Sequence, residues 1–223
     1  MAENITPVAA ARPRVPRLWL ALLAAALVLG VLGGGVAALI ARNSSSSEPV
    51  GGPAATWAAG TRRAPDFRLS DQSGGPVSLV SLRGRPVVLT FIDPLCRNLC
   101  PLEAQVLRQA VAKLPAAQRP AIVAVSVNQW GNARANLLLD MRKWQLPAAW
   151  RWAVGGAPEL RQVWRNYQIS VLDAPKTIAG VTVHNIVHTE ASYLIDAAGY
   201  QRALYLWPFH ANDVERSLRT LGS

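Results

Sequence analysis

The chain has 223 residues, of which 51% are hydrophobic and 16% charged, with mean hydropathy +0.16 and a net charge of +10. That hydrophobic share excludes a wholly disordered chain, and 16 Gly with 16 Pro are too few for a low-complexity one. Positive hydropathy with so few charges points to a membrane segment.

Leu18–Ile40 is that segment: 23 residues without a charge. As a helix it would reach about 34 Å, against a hydrocarbon core of about 30 Å. A cleavable signal peptide would have a shorter apolar region ending in a small-x-small site; this run ends Ala38-Leu39-Ile40-Ala41. The expectation is a retained single-pass anchor at 18–40 behind a cytoplasmic N-terminus at 1–17. Arg12, Arg14 and Arg17 precede the span and Arg42 alone follows it at once, so the remainder of the chain is expected outside the cell membrane. Removing the four arginines and one glutamate of residues 1–43 leaves +7 on that remainder. Its arginines are scattered singly and face away from the cytoplasm, which argues against nucleic acid and for an anionic lipid or acidic protein surface.

Residues 41–63 are Ser/Gly/Pro/Ala-rich and aperiodic and read as a flexible tether. Residues 64–223 are one domain's worth of chain. Asp66–Ser70 and Val77–Leu82 predict two short strands about a Gly-rich turn. Pro86–Ile92 and Pro120–Val127 are continuous apolar, β-rich runs, the pattern of strands buried on both faces. Helices are predicted from about Cys100 to Leu114, over Asn132–Trp144 and over Pro158–Tyr167. Ala191–Asp196 and Gln201–Leu206 predict a hairpin, and Asn212–Leu221 a closing helix. Buried strands alternating with helices, then a hairpin and a helix, is an α/β order. It is the order of a thioredoxin-like fold with an N-terminal β-hairpin extension.

The only two cysteines, Cys96 and Cys100, stand at the end of a buried strand and the start of a helix. A structural Cys96–Cys100 disulfide is one reading for an exported domain. So short a loop gains little from closure, however, so a reactive or metal-binding pair is favoured. Pro101 suits a first helical turn, whose partial positive charge favours thiolate, and Arg97 between the sulfurs is expected to act in the same sense. Two thiolates hold a soft metal but leave its shell incomplete. Three histidines could add a ligand. His184 and His188 lie in the strand-like run Val181–Thr189, about 13 Å apart if extended, so they do not share one ion. His184 reads as structural and His210 as a surface or capping residue. His188, just ahead of the strand Ser192–Asp196, is the candidate ligand. Trp130, Trp144, Trp150, Trp152 and Trp164 read as core packing, with a partner-facing aromatic patch as the other reading.

The run from Ala64 to Leu107, with CxxxCP after an apolar strand, and His188-Thr189 ahead of Tyr193-Leu194-Ile195-Asp196 resemble the Sco/SenC family of membrane-tethered, thioredoxin-like copper proteins. The resemblance extends over roughly 64–220. It implies copper as the bound ion, with Cys96, Cys100 and His188 as its ligands. It also implies a metallochaperone role in cytochrome c oxidase assembly, with the copper-site subunit of a respiratory oxidase as partner. The chain departs from the family pattern at Arg97-Asn98, at Asn128-Gln129 and at Val187, where an acidic residue often precedes the histidine. The competing reading is an enzyme, a thiol–disulfide oxidoreductase that reduces the oxidase's cysteines, with redox-active Cys96 and Cys100 and an external reductant. A peroxidase is a third. Reductases of the thioredoxin type use CxxC and a proline before the late strand; this chain has CxxxC and no proline between Lys176 and Trp207. The spacing favours metal.

Overall fold

The computed structural model describes residues 51–147 and 149–221. The predicted span at 18–40 lies outside them; among the described residues no helix is long and apolar enough to cross a membrane. The strands are β1 (Ala55–Thr56), β2 (Leu69–Ser70), β3 (Pro76–Val77), β4 (Val87–Ile92), β5 (Ala121–Ser126), β6 (Trp150–Ala153), β7 (Val171–Ile178), β8 (Val181–His188), β9 (Ala191–Ile195) and β10 (Gln201–Leu206). The α-helices are α1 (Leu99–Ala112), α2 (Arg134–Lys143), α3 (Ala157–Asn166) and α4 (Ala211–Arg219).

The central sheet runs β1-β10-β9-β4-β5-β6. Strands β4, β5 and β6 are parallel, as their intervening helices require, and β9 and β10 add antiparallel on the other side of β4. Because side chains alternate, β4 feeds two cores. Val87, Leu89 and Phe91 meet Phe67, Leu160, Val163 and Tyr167 on one face. Val88 and Ile92 meet Ala104 and Leu107 of α1 and Val214 and Leu218 of α4 on the other. Burial on both faces is why β4 and β5 read as uninterrupted apolar runs, each such side chain contributing about 1.5–3 kcal/mol. This is the thioredoxin-like α/β arrangement, and the short hairpin β2–β3 is the expected N-terminal extension.

Three elements differ from expectation. The second predicted strand, Val77–Leu82, shortens to β3 and continues as a 3-10 turn at Val80–Leu82, where Asp66 accepts hydrogen bonds from the Leu79 and Val80 N–H groups. Within the segment read as tether, Ala55–Thr56 pairs with β10 at the sheet edge, and Gln201 N–H donates to Arg62 O at 2.8 Å. The third is a long hairpin, β7–β8, which stands apart from the central sheet and carries His184 and His188. Its strand β7 contains Asp173, Pro175 and Lys176, residues depleted in strands, and Pro175 is tolerated because a two-stranded ribbon has only edges.

Candidate metal centre

The cysteine loop is shaped by local hydrogen bonds. At the end of β4, Asp93 Oδ1 accepts the Leu95 N–H at 2.7 Å and Asp93 O accepts the Cys96 N–H at 3.1 Å. Asn98 then caps α1, its Oδ1 accepting the Leu99 N–H at 2.8 Å. The same oxygen lies 2.9 Å from Cys96 Sγ and can accept a hydrogen bond only from its protonated form. Cys100 sits in the first turn of α1 and is fully buried, whereas Cys96 is half-exposed. Both thiols are free.

The two sulfurs are electrostatically unequal. Hydrogen bonding from the Cys100 thiol, with help from the Asn98 and Cys100 backbone, draws the Cys96 pKa down to about 6. The Cys100 N–H also donates to Cys96 Sγ at 3.4 Å. The same thiol–thiol contact, then burial, pushes Cys100 far above an ordinary thiol. Cys96 is therefore the thiolate at neutral pH and Cys100 its proton-bearing neighbour. Arg97 does not play the part expected of it. Its guanidinium turns away to Pro94 O, Cys96 O and the buried Asp140 carboxylate, 3.4 Å from Oδ1. Burial raises Asp140 to about 6, and Arg97 partly offsets that.

His188 ends β8 opposite this loop. Its Nδ1 lies 3.1 Å from Thr189 O, and a carbonyl can only accept, so Nδ1 carries the proton and Nε2 presents its lone pair. That lone pair faces Cys100 Sγ at 3.8 Å. Burial lowers the His188 pKa, which keeps the ring neutral at pH 7. The backbone beside it is fixed: Thr189 N–H donates to Ser170 O at 3.0 Å, and Ser170 N–H to Thr189 Oγ1 at 3.2 Å.

Of the three candidate ligands, Cys100 and His188 are thus brought together directly. Cys96 lies one hydrogen bond away, at the mouth of two clefts. One, of about 770 Å³, is lined by Asp93, Cys96, Asn98, Trp130 and His184. The other is lined by Cys96, Leu99, His188, Glu190, Leu206 and Trp207. Sulfur and nitrogen donors sharing one ion at about 2.3 and 2.0–2.1 Å stand roughly 3.5–3.8 Å apart in tetrahedral or trigonal geometry. The Cys100–His188 separation fits that, and the thiolate–thiol–imidazole set suits a soft transition-metal ion.

Two acidic residues went unremarked in the sequence. A Glu190 carboxylate oxygen, Cys100 Sγ and a His188 ring nitrogen all lie within 4.8 Å of one another. Beneath the site, fully buried Glu103 accepts Thr90 Oγ1 at 2.7 Å and Ser192 Oγ at 2.8 Å on its Oε1, while its Oε2 has no partner. Burial lifts Glu103 to about 7 despite those hydrogen bonds. Glu103 was foreseeable: it follows Cys100 by three, on the buried face of α1.

The other two histidines are not part of the Cys100–His188 group. His184 Nδ1 is 2.8 Å from Asp173 Oδ2, and the ring stacks on Trp130 at 3.5 Å and 10°, fastening the hairpin to the Gln129–Gly131 turn. His210 takes the N-cap position of α4, though its side chain makes no capping bond. Trp144, Trp150 and Trp152 pack together in the core, and Trp164 Nε1 donates to Ser126 O. Trp130 alone of the five is exposed.

A model described as SCO1/SenC matches residues 57–221. No curated protein matches the chain. Among solved structures, copper-bound ScoI of Bradyrhizobium japonicum is 18% identical, with TM-score 0.60, covering 71% of this chain and 99% of its own. Copper-bound yeast Sco1 is 16% identical, with TM-score 0.63, over 73% of this chain and 90% of its own. BsSco, described as a member of the Sco family of cytochrome c oxidase assembly proteins with a disulfide switch, is 19% identical, with TM-score 0.59, over 75% and 98%. At these identities the likenesses establish the fold.

Proposed function

Because this chain belongs to the SCO1/SenC family, we propose that it binds copper through Cys96, Cys100 and His188 and delivers it to a respiratory oxidase in the same membrane. The observation that carries this reading is the 3.8 Å approach of His188 Nε2, deprotonated by its tautomer, to Cys100 Sγ. Relatives of the same fold are known with copper bound, and BsSco belongs to proteins of cytochrome c oxidase assembly. The apolar run 18–40 and its flanking arginines support a single-pass tether with the metal-binding domain outside the cytoplasm.

The chain's own residues divide the work. Buried Cys100 and His188 would hold the copper cargo from below. Half-exposed Cys96, ionised near neutral pH, is the ligand an acceptor protein reaches first. An open set of three donors permits transfer by ligand exchange, which a closed four-ligand shell resists. Exposed Leu95, Leu99, Val187 and Leu206 surround the opening with apolar surface.

Copper titration of the reduced full chain and of His188→Ala tests the reading. One equivalent is expected to bind. The variant should lose more affinity than the roughly 10–100-fold that loss of an outer-shell partner costs. Equal affinity in the two proteins would overturn the ligand assignment. No binding, with a readily reduced Cys96–Cys100 disulfide, would move the function to thiol–disulfide exchange.

A further inference from the structure

Resting on the copper-binding reading above, we propose that Glu190 is a further protein ligand of this centre, taken up by divalent copper and left out by monovalent copper. The site would thereby grade the two oxidation states. Geometry is the first support. A Glu190 carboxylate oxygen, Cys100 Sγ and a His188 ring nitrogen already lie within 4.8 Å of one another. Donors at 2.0–2.3 Å from a shared ion stand roughly 3.3–3.8 Å apart at tetrahedral or trigonal angles, so the carboxylate must move in by about 1 Å, which rotation of the Glu190 side chain supplies. Cys96 Sγ is not part of this closest group; it accepts the Cys100 N–H at 3.4 Å.

The second support is that this carboxylate is otherwise idle. Among the described residues it makes no hydrogen bond or ion pair, in a chain of net charge +10. Its backbone, by contrast, is pinned: Glu190 O accepts the Trp207 N–H at 3.1 Å, next to the hydrogen-bonded Thr189–Ser170 junction. The residue faces the cleft that also holds Cys96 and His188. The short link between β8 and β9 thus presents a carboxylate with no hydrogen-bond partner to the candidate ligands. Val187, the residue preceding His188, offers no carboxylate of its own.

Charge and softness give the discrimination its direction. A monovalent copper with two thiolates and an imidazole carries −1, and adding a carboxylate would make −2 in a half-buried site. A divalent copper with all four donors carries −1. Soft monovalent copper is satisfied by sulfur and imidazole, whereas the harder divalent ion gains from an oxygen donor.

The test is anaerobic competition titration of the reduced full chain and of Glu190→Gln with Cu⁺ and with Cu²⁺, with electron paramagnetic resonance on the Cu²⁺ forms. Gln keeps the shape and removes the charge; Co²⁺, which thiols do not reduce, repeats the divalent arm. The expected result is a tenfold or greater loss of Cu²⁺ and Co²⁺ affinity, a changed Cu²⁺ hyperfine splitting, and Cu⁺ affinity within about threefold. Unchanged divalent affinity, or equal losses for both oxidation states, would overturn the proposal. Failure of the underlying reading looks different: the unmodified chain would take up neither ion, or His188→Ala would bind both as well as it does.

Discussion

Replacing Glu103 by Gln should remove a pH dependence from the stability of this protein. Glu103 is wholly buried and its pKa rises from 4.5 to about 7, chiefly through loss of solvation. A carboxyl with a raised folded pKa binds its proton more tightly in the native than in the unfolded state. Its contribution is therefore intact below pH 4.5, declines as pH rises, and is fully lost above pH 7. At 1.36 kcal/mol per unit, the loss is about 3 kcal/mol. Gln does not ionise, and its amide oxygen can still accept from Thr90 and Ser192. The stability gap between the two proteins should thus move by about 3 kcal/mol in favour of the variant between pH 4.5 and 8. Comparing slopes cancels the Asp140 titration and any constant cost of the amide NH₂. Urea unfolding followed by fluorescence of the buried Trp150 and Trp152 reads this as a shift of about 1–3 M in relative midpoint. Identical slopes in the two proteins would refute the claim that Glu103 ionises at a desolvation cost beneath the site.

Alkylation of the reduced chain should rise through about pH 6 at Cys96 and leave Cys100 unmodified in the folded state, read by peptide mass spectrometry. Arg97→Ala leaves the Asp140 carboxylate buried without its cation; it should cost about 1 kcal/mol at pH 7 and less at pH 5, where Asp140 is protonated, measured by chemical unfolding. The exposure of Arg97 keeps that figure small. Trp130→Ala should speed amide exchange across Val181–His188 and weaken copper binding while the central sheet stays protected, because the His184 stack fastens the hairpin that carries His188.

Much of the scaffold was legible because its strands are buried on both faces: Val87–Ile92 and Ala121–Ser126 have no polar side to confuse their period. The site's cysteines were legible because a strand end, two thiols and a proline at a helix start form a local pattern. What stayed hidden is non-local. Strand β7 is a strand only because β8 pairs with it, and its Pro175 and Asp173 argue against one in isolation. Ala55–Thr56 gains order from β10, far along the chain. Arg97 stands between two sulfurs in sequence, yet Asp140 captures it from another helix. Glu190 was in view beside His188, but only the folded junction aims it at Cys100.

The central claim is that Cys96, Cys100 and His188 form one copper-binding centre. X-ray absorption at the copper K edge, on the full chain loaded anaerobically with one equivalent of Cu⁺, tests it most directly. The prediction is a shell of two sulfurs and one imidazole, with the imidazole lost in His188→Ala. A shell of nitrogen and oxygen alone, or a spectrum unchanged in the variant, would contradict it.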